Sequence, residues 1–80
     1  MDRELEDYFD NFNMLFAHKG YKQLCEEVEG NVERLSDIST VKDEQELYFR
    51  QGQIAAYRTI LNFQGTVEAA REQAEDVQDI

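Results

Sequence analysis

The sequence contains no proline, no tryptophan, one cysteine and one histidine. Without proline, and with only four glycines, the chain has few residues that end helices or form tight turns, so long helices are favoured over a strand-rich fold. The single thiol, Cys25, cannot form an intramolecular disulfide. Together with His18 it cannot complete a zinc site of nitrogen and sulfur ligands. We therefore expect no disulfide, no metal and no other cofactor.

Basic residues are also scarce, because 8 lysines and arginines stand against 18 acidic residues and give a formal net charge of −10. Such a charge opposes sequence-independent attraction to nucleic-acid phosphates and to anionic membranes. No apolar run approaches the ~20 residues of a membrane helix, and the acidic N-terminal segment has the opposite charge to a signal-peptide n-region. We expect a cytoplasmic protein that binds no membrane and has no direct contact with nucleic acid.

Apolar residues recur at helical spacing in three segments, and the spacing predicts helices over residues 3–18, 21–36 and 43–77. Asp2 is expected to cap the first helix, which should end at His18 with Gly20 in the left-handed conformation. Asp43 and Glu46 form a variant of the capping box at the start of the third helix. We predict an all-α single domain over residues 1–80. In it, helices two and three form an antiparallel, coiled-coil-like hairpin, and the short N-terminal helix packs on that hairpin.

The hairpin can be placed in register by aligning apolar positions of helices two and three. The level pairs include Val28 with Ile54, Cys25 with Tyr57, and Gly30 with Gly52. Opposed glycines would allow the two backbones to approach, or leave room for a bulky neighbour such as Phe9 or Phe12. The alternative is that each glycine only tolerates a bend and has no packing role.

The third helix is apolar on two sides. One stripe contains Leu47, Ile54 and Leu61, and the second contains Phe49, Ala56, Ile60, Phe63, Val67, Ala70, Ala74 and Val77. At 100° per residue the stripes lie roughly 140° apart, so this helix needs apolar cover on both sides. From Gln64 to Ile80 the second stripe is weak, which predicts a helical extension that docks on a partner or a terminus that frays.

The second stripe and its neighbours are the candidate interface. This set comprises Tyr48, Phe49, Arg50, Tyr57, Arg58, Ile60, Phe63 and Val67. Tyrosine and arginine are over-represented among the residues that dominate binding energy. The alternative for Arg50 and Arg58 is ion pairing with glutamates of helix two (Glu27, Glu29 or Glu33), which contributes little when exposed.

No motif in the sequence predicts catalysis. His18 lies at a predicted helix end where the dipole favours a cation, and no motif places a nucleophile beside it. Cys25 is followed by Glu26 and Glu27, a setting that does not activate a thiol. The sequence has no glycine-rich phosphate loop and no EF-hand calcium loop. We expect a protein that is not an enzyme and has no catalytic, cofactor-binding or metal-ligating residues.

Several segments of the sequence resemble those of a known group of proteins. The run Leu47-Tyr48-Phe49-Arg50-Gln51-Gly52-Gln53-Ile54, its continuation Ile60-Leu61-Asn62-Phe63, and upstream Phe16 and Gly20-Tyr21-Lys22-Gln23-Leu24 carry the likeness. In these residues the chain resembles small acidic helical proteins of tailed bacteriophages, especially marine podoviruses. Those proteins generally lack assigned functions, so the resemblance implies a phage origin and no catalytic residues.

Two functions are compatible with these features. The first is a non-enzymatic protein–protein interaction module, a virion-associated or assembly component that self-associates or binds another phage or host protein. It would act in the cytoplasm of the bacterial host or in the virion. The alternative is an acidic inhibitor that blocks a basic nucleic-acid-binding groove of a host enzyme, and its support is the net charge.

Overall fold

A computed structural model describes residues 1–78 of the chain, and the side chains of Val77 and Gln78 and residues 79–80 lie outside the described part. Over these residues the regular structure is helical: α1 (Arg3–Ala17), α2 (Lys19–Leu35), a 3₁₀ turn (Ile38–Thr40), α3 (Glu44–Leu61) and α4 (Phe63–Gln78). The predicted all-α class is confirmed, and α2 and α3 form the predicted helical hairpin. The predicted third helix over 43–77 differs, because the structure divides it at Asn62.

The contacts group the chain into two compact units. The first unit comprises Met1–Lys22 with Asn62–Ile80, and the second comprises Gln23–Leu61. In the first unit, α1 packs on α4, so the N-terminal helix contacts the C-terminal part of the segment predicted as helix three. The single domain expected for residues 1–80 stays a prediction.

Side-chain caps set the starts of α1 and α2. Asp2 Oδ1 accepts the backbone N–H of Leu5 at 2.8 Å, which confirms the predicted N-cap. The left-handed Gly20 expected at the other end is wrong, because Gly20 lies inside α2 and no glycine of the described part has a positive φ. Instead, Nδ1 of His18 accepts the N–H of Gly20 at 2.8 Å and caps the start of α2.

The core of the first unit is aromatic. Phe9, Phe16 and Val67 are buried, and Met1, Phe12, Tyr21, Phe63 and Ala74 are partly buried against them. The ring of Phe63 lies 5.1 Å from Phe12 and 6.2 Å from Phe16, centroid to centroid, both edge-to-face. Edge-to-face pairs at this distance add about 0.5–1.5 kcal/mol each to the area that they bury.

A single arginine also ties α4 to α1. The guanidinium of Arg71 lies 5.8 Å from the centre of the Phe9 ring, and its nitrogens lie 3.5 Å from Asp10 and 3.3 Å from Glu75. Exposed ion pairs contribute little stability by themselves. The Arg71 cation over the buried Phe9 ring stabilises the contact of α4 with α1, in addition to the burial of Val67. Of the two alternatives for this segment, the helix is confirmed as far as Gln78, and the surface on which it docks is α1.

The second unit buries the facing sides of α2 and α3. Val28 is 5 % exposed, and the other inward apolar side chains are half-buried. These are Cys25, Val32 and Leu35 of α2 and Ile54, Tyr57 and Leu61 of α3. A Cβ added at Gly30 or Gly52 would meet no atom within 4 Å. The predicted close approach at these glycines is therefore wrong, because both are exposed and neither makes room for a neighbour.

The division at Asn62 has a local explanation. Asparagine is a poor residue for a helix interior but a preferred N-cap, because its short polar side chain competes for backbone hydrogen bonds. The carbonyl of Asn62 accepts both the N–H of Thr66 at 3.1 Å and its hydroxyl at 3.2 Å. Asn62 thus lies between α3 and α4, at a residue whose type disfavours a continuous helix.

Candidate interaction surface

One side of α3 is solvent-exposed and uncharged. Its residues, called the outer face of α3 below, are Gln45, Tyr48, Phe49, Gly52, Ala55, Ala56, Thr59 and Ile60. At 100° per residue they cover an arc of about 140° on the helix. In a chain in which 32 % of the residues are charged, an exposed helix face without a charge is unusual. Such faces commonly mark sites of protein association.

The outer face carries the largest exposed apolar side chains of α3. Phe49 is 68 % exposed, Tyr48 is 62 % exposed and Ile60 is 42 % exposed. The second apolar stripe predicted from the sequence is therefore covered over only part of its length. Its later members Phe63 and Val67 lie in the core of the first unit. These two candidate interface residues thus pack within the chain, whereas Phe49 and Ile60 are exposed.

The inner side of α3 holds Arg50, which braces the end of the hairpin. Its guanidinium donates to the carbonyl of Asp37 (3.3 Å), to the hydroxyl and carbonyl of Thr40 (2.7 and 3.2 Å), and to Oε1 of Glu46 (2.8 Å). Its side chain is only 14 % exposed. The predicted ion pairing of Arg50 with glutamates of helix two is therefore wrong. Arg50 instead stabilises the segment that connects α2 and α3.

The same connection contains the capping residues of α3 and the 3₁₀ turn. Asp43 Oδ1 accepts the N–H of Glu46 at 2.8 Å, and Glu46 Oε2 accepts the N–H of Lys42 at 2.9 Å. The predicted capping-box variant is confirmed, with Lys42 in place of Asp43 as the returned donor. Hydrogen bonds from Lys42 and Arg50 lower the pKa of Glu46. Hydrogen bonds from the hydroxyl and N–H of Ser39, with a smaller contribution from the charge of Arg50, lower the pKa of Asp37.

Replacing Arg50 by alanine is expected to lower the Tm at neutral pH by roughly 4–8 °C, the effect of losing about one net hydrogen bond in a domain of this size. Both carboxyl groups have lowered pKa values in the folded state, so the stability they contribute is lost as the pH falls through those values. The difference in Tm between wild type and Arg50→Ala should therefore shrink below about pH 4. Thermal unfolding followed by circular dichroism measures both, with Arg58→Ala as the exposed control. A difference that stayed constant into acid would contradict the contribution of the Arg50–Glu46 ion pair, and no difference at neutral pH would contradict the brace as a whole.

Two charged residues border the outer face on the same side. Glu44 and Arg58 lie at opposite ends of α3, and both are exposed. Glu44 accepts a hydrogen bond from the hydroxyl of Tyr48 at 3.1 Å. Tyr57, which was grouped with them in the candidate interface, is half-buried on the inner side of α3. Of that predicted set, Tyr48, Phe49 and Ile60 lie on the outer face, and Arg58 lies at its edge.

Pattern reasoning missed the small and polar part of this surface. Gln45, Gly52, Ala55 and Thr59 belong to the outer face, but a search for apolar periodicity passes over them. The sequence signal for these residues is an arc of the helix without charge. Glu46, Arg50 and Arg58 all lie outside this arc when α3 is drawn at 100° per residue.

Among the described residues, no three histidine, cysteine, aspartate or glutamate side chains are grouped to hold a metal ion. None of the described helices combines the length and apolar character needed to span a membrane. A shallow open depression lies beside Asp2, Leu5 and Tyr8 at the start of α1. No protein-family model, no curated protein and no solved structure matches the chain.

Proposed function

We propose that the protein is a non-enzymatic interaction module that associates with other protein chains, its own copies among them, through the outer face of α3. The observation that carries this proposal is the exposure of Tyr48 and Phe49 on a face without charge. Large aromatic side chains are the residues that most often anchor protein interfaces, and charged residues are depleted at interface centres. The face offers both features.

The biological setting in the proposal is a bacteriophage. The resemblance carried by residues 47–54 and 60–63 supports an origin among tailed phages, and these residues include Tyr48, Phe49, Gly52 and Ile60 of the outer face. A small acidic chain that associates through one helix suits a virion-associated or assembly component. It would work in the host cytoplasm or in the assembled particle.

The test is the solution mass of the purified protein, measured by light scattering over a concentration series from low micromolar to near millimolar. Wild type is expected to self-associate as concentration rises, and Phe49→Asp is expected to stay monomeric because a charge then lies at the centre of the apolar contact. The matched control is Met14→Asp on α1, since Met14 is 72 % exposed and lies off the face. A wild-type protein that remains monomeric throughout the series would contradict self-association.

The second candidate function, the acidic inhibitor of a host enzyme, is favoured by a different observation. Glu26, Glu27, Glu29 and Glu33 are all exposed on α2. A row of carboxylates can compete with phosphates for a basic groove. This function does not need the outer face of α3, so it predicts a monomeric protein whose mass is unaffected by Phe49→Asp.

A further inference from the structure

We propose that the outer face of α3 binds the same face of a second copy, with the two α3 helices antiparallel and related by a two-fold axis beside Gly52. This inference rests on the proposed function, because it names the partner of that surface and its geometry. Three properties of the face support a second copy as the occupant: its size pattern, its lack of charge and the charges at its edge.

The size pattern is self-complementary. Large side chains, Tyr48 and Phe49, lie on the N-terminal side of Gly52, and small ones, Ala55 and Ala56, lie on its C-terminal side, with Ile60 beyond them at the end of the face. Gly52 separates the two pairs, with open space where a Cβ would be. When an antiparallel copy is centred on Gly52, residues whose numbers sum to about 104 lie level. Tyr48 and Phe49 then lie against Ala55 and Ala56 of the second copy, and this happens twice because the interface is isologous.

The edge charges fit the same arrangement. Under a two-fold axis perpendicular to antiparallel helices, each edge of the face lies beside the same edge in the second copy. Glu44 and Arg58 border one edge, so Glu44 of each copy comes level, within about 3 Å along the axis, with Arg58 of the other. A carboxylate can accept several donors, so the Tyr48 hydroxyl does not prevent this contact. The arrangement therefore places opposite charges together at both ends.

A parallel arrangement does not have this property. With parallel helices in register, the edge that carries Glu44 and Arg58 would lie beside the opposite edge of the second copy, so neither residue would meet an opposite charge. Tyr48 and Phe49 would also meet their own copies, and the small residues would face small residues across a gap. Both shape and charge thus select the antiparallel pair. One helix face offers less than the roughly 800 Å² per partner of a standard interface, so the dimer should depend on concentration.

Charge exchange gives the sharpest test. Glu44→Arg and Arg58→Glu should each weaken dimerisation, on the order of tenfold at low salt, because each creates two like-charge contacts. The double variant Glu44→Arg with Arg58→Glu should return the dissociation constant to near that of wild type. The two positions are fourteen residues apart on one helix, about 21 Å, so they cannot compensate each other within one chain.

This restoration separates an intermolecular contact from a structural role. Within the chain, both exchanges place charges against the helix dipole of α3, so their effects on folding should add rather than cancel. Dissociation constants come from sedimentation or scattering series, and circular dichroism checks that each variant is folded. A double variant no better than the single ones would overturn the proposed geometry.

A cross-link tests the axis independently. In a Cys25→Ser background, Gly52→Cys puts one thiol beside the two-fold axis in each copy, and mild oxidation should yield a covalent dimer. The control is Met14→Cys in the same background, which should remain mostly monomeric. If wild type dimerises but Gly52→Cys cross-links no faster than this control, the antiparallel α3 pair is wrong while self-association stands. If wild type never dimerises, self-association itself fails.

Discussion

Replacing Phe16 by alanine is expected to lower the free energy of unfolding by about 3–5 kcal/mol, the range for removal of a buried phenylalanine ring. Phe16 is 6 % exposed, and its ring contacts Phe12, Tyr21 and Phe63 at centroid distances of 5.9, 5.2 and 6.2 Å. Alanine would leave a cavity at the centre of this cluster. In a chain this small the loss is comparable with the whole stability, so α1 and α4 should separate.

Urea unfolding followed by circular dichroism measures this loss, with Met14→Ala as the matched control. Met14 lies on the same helix, two residues away, and is 72 % exposed, so its replacement should change stability by less than about 0.5 kcal/mol. Loss of less than about 1 kcal/mol for Phe16→Ala would mean that the aromatic cluster does not hold the first unit together.

A similarly large effect is expected when aspartate replaces Phe63, the residue at the start of α4. Its ring packs edge-to-face on Phe12 and Phe16, so the substitution removes two aromatic contacts and places a carboxylate against apolar rings. We expect a loss of about 3 kcal/mol or more in the free energy of unfolding. Urea unfolding followed by circular dichroism measures this loss for Phe63→Asp as well.

The informative comparison for Phe63→Asp is Phe49→Asp. Both positions belong to the second apolar stripe predicted from the sequence, and both substitutions are chemically identical. Phe49 is 68 % exposed, so its replacement should leave stability within about 0.5 kcal/mol of wild type while abolishing self-association. Equal destabilisation by the two variants would show that the outer face of α3 is covered within the chain.

Helical periodicity is the part of this protein that the sequence specifies most strongly. The all-α class, the cap at Asp2 and the cap at Asp43 follow from local rules that involve residues three or four apart. The division at Asn62 did not follow, because the apolar stripe continues through that residue and hides a single position with a preference for capping. His18 ends α1 as predicted, but its second role as the cap of α2 was missed because an imidazole can accept as well as donate.

The candidate surface was harder to predict than the fold. Phe49 and Phe63 share a stripe, and nothing local in the sequence distinguishes the exposed phenylalanine from the one that packs on α1. That outcome depends on contacts between residues more than fifty positions apart, such as Phe12 with Phe63. Arg50 was likewise placed on a surface by its residue type, although three of its acceptors lie in the turn that precedes α3.

The packing of α1 on α4 has a consequence for how the chain acquires its structure during synthesis. The second unit, Gln23–Leu61, is made of contacts that are close in sequence, and such contacts form rapidly. No nearby segment buries the aromatic side chains of α1 in this way, because Val67 and Phe63 are translated some fifty residues after Phe9 and Phe12. For that interval the growing chain displays unburied phenylalanines on α1, and such transiently exposed surface makes a chain prone to aggregation. The acidic residues of α1 would then give nascent chains a mutual repulsion that the finished fold no longer needs.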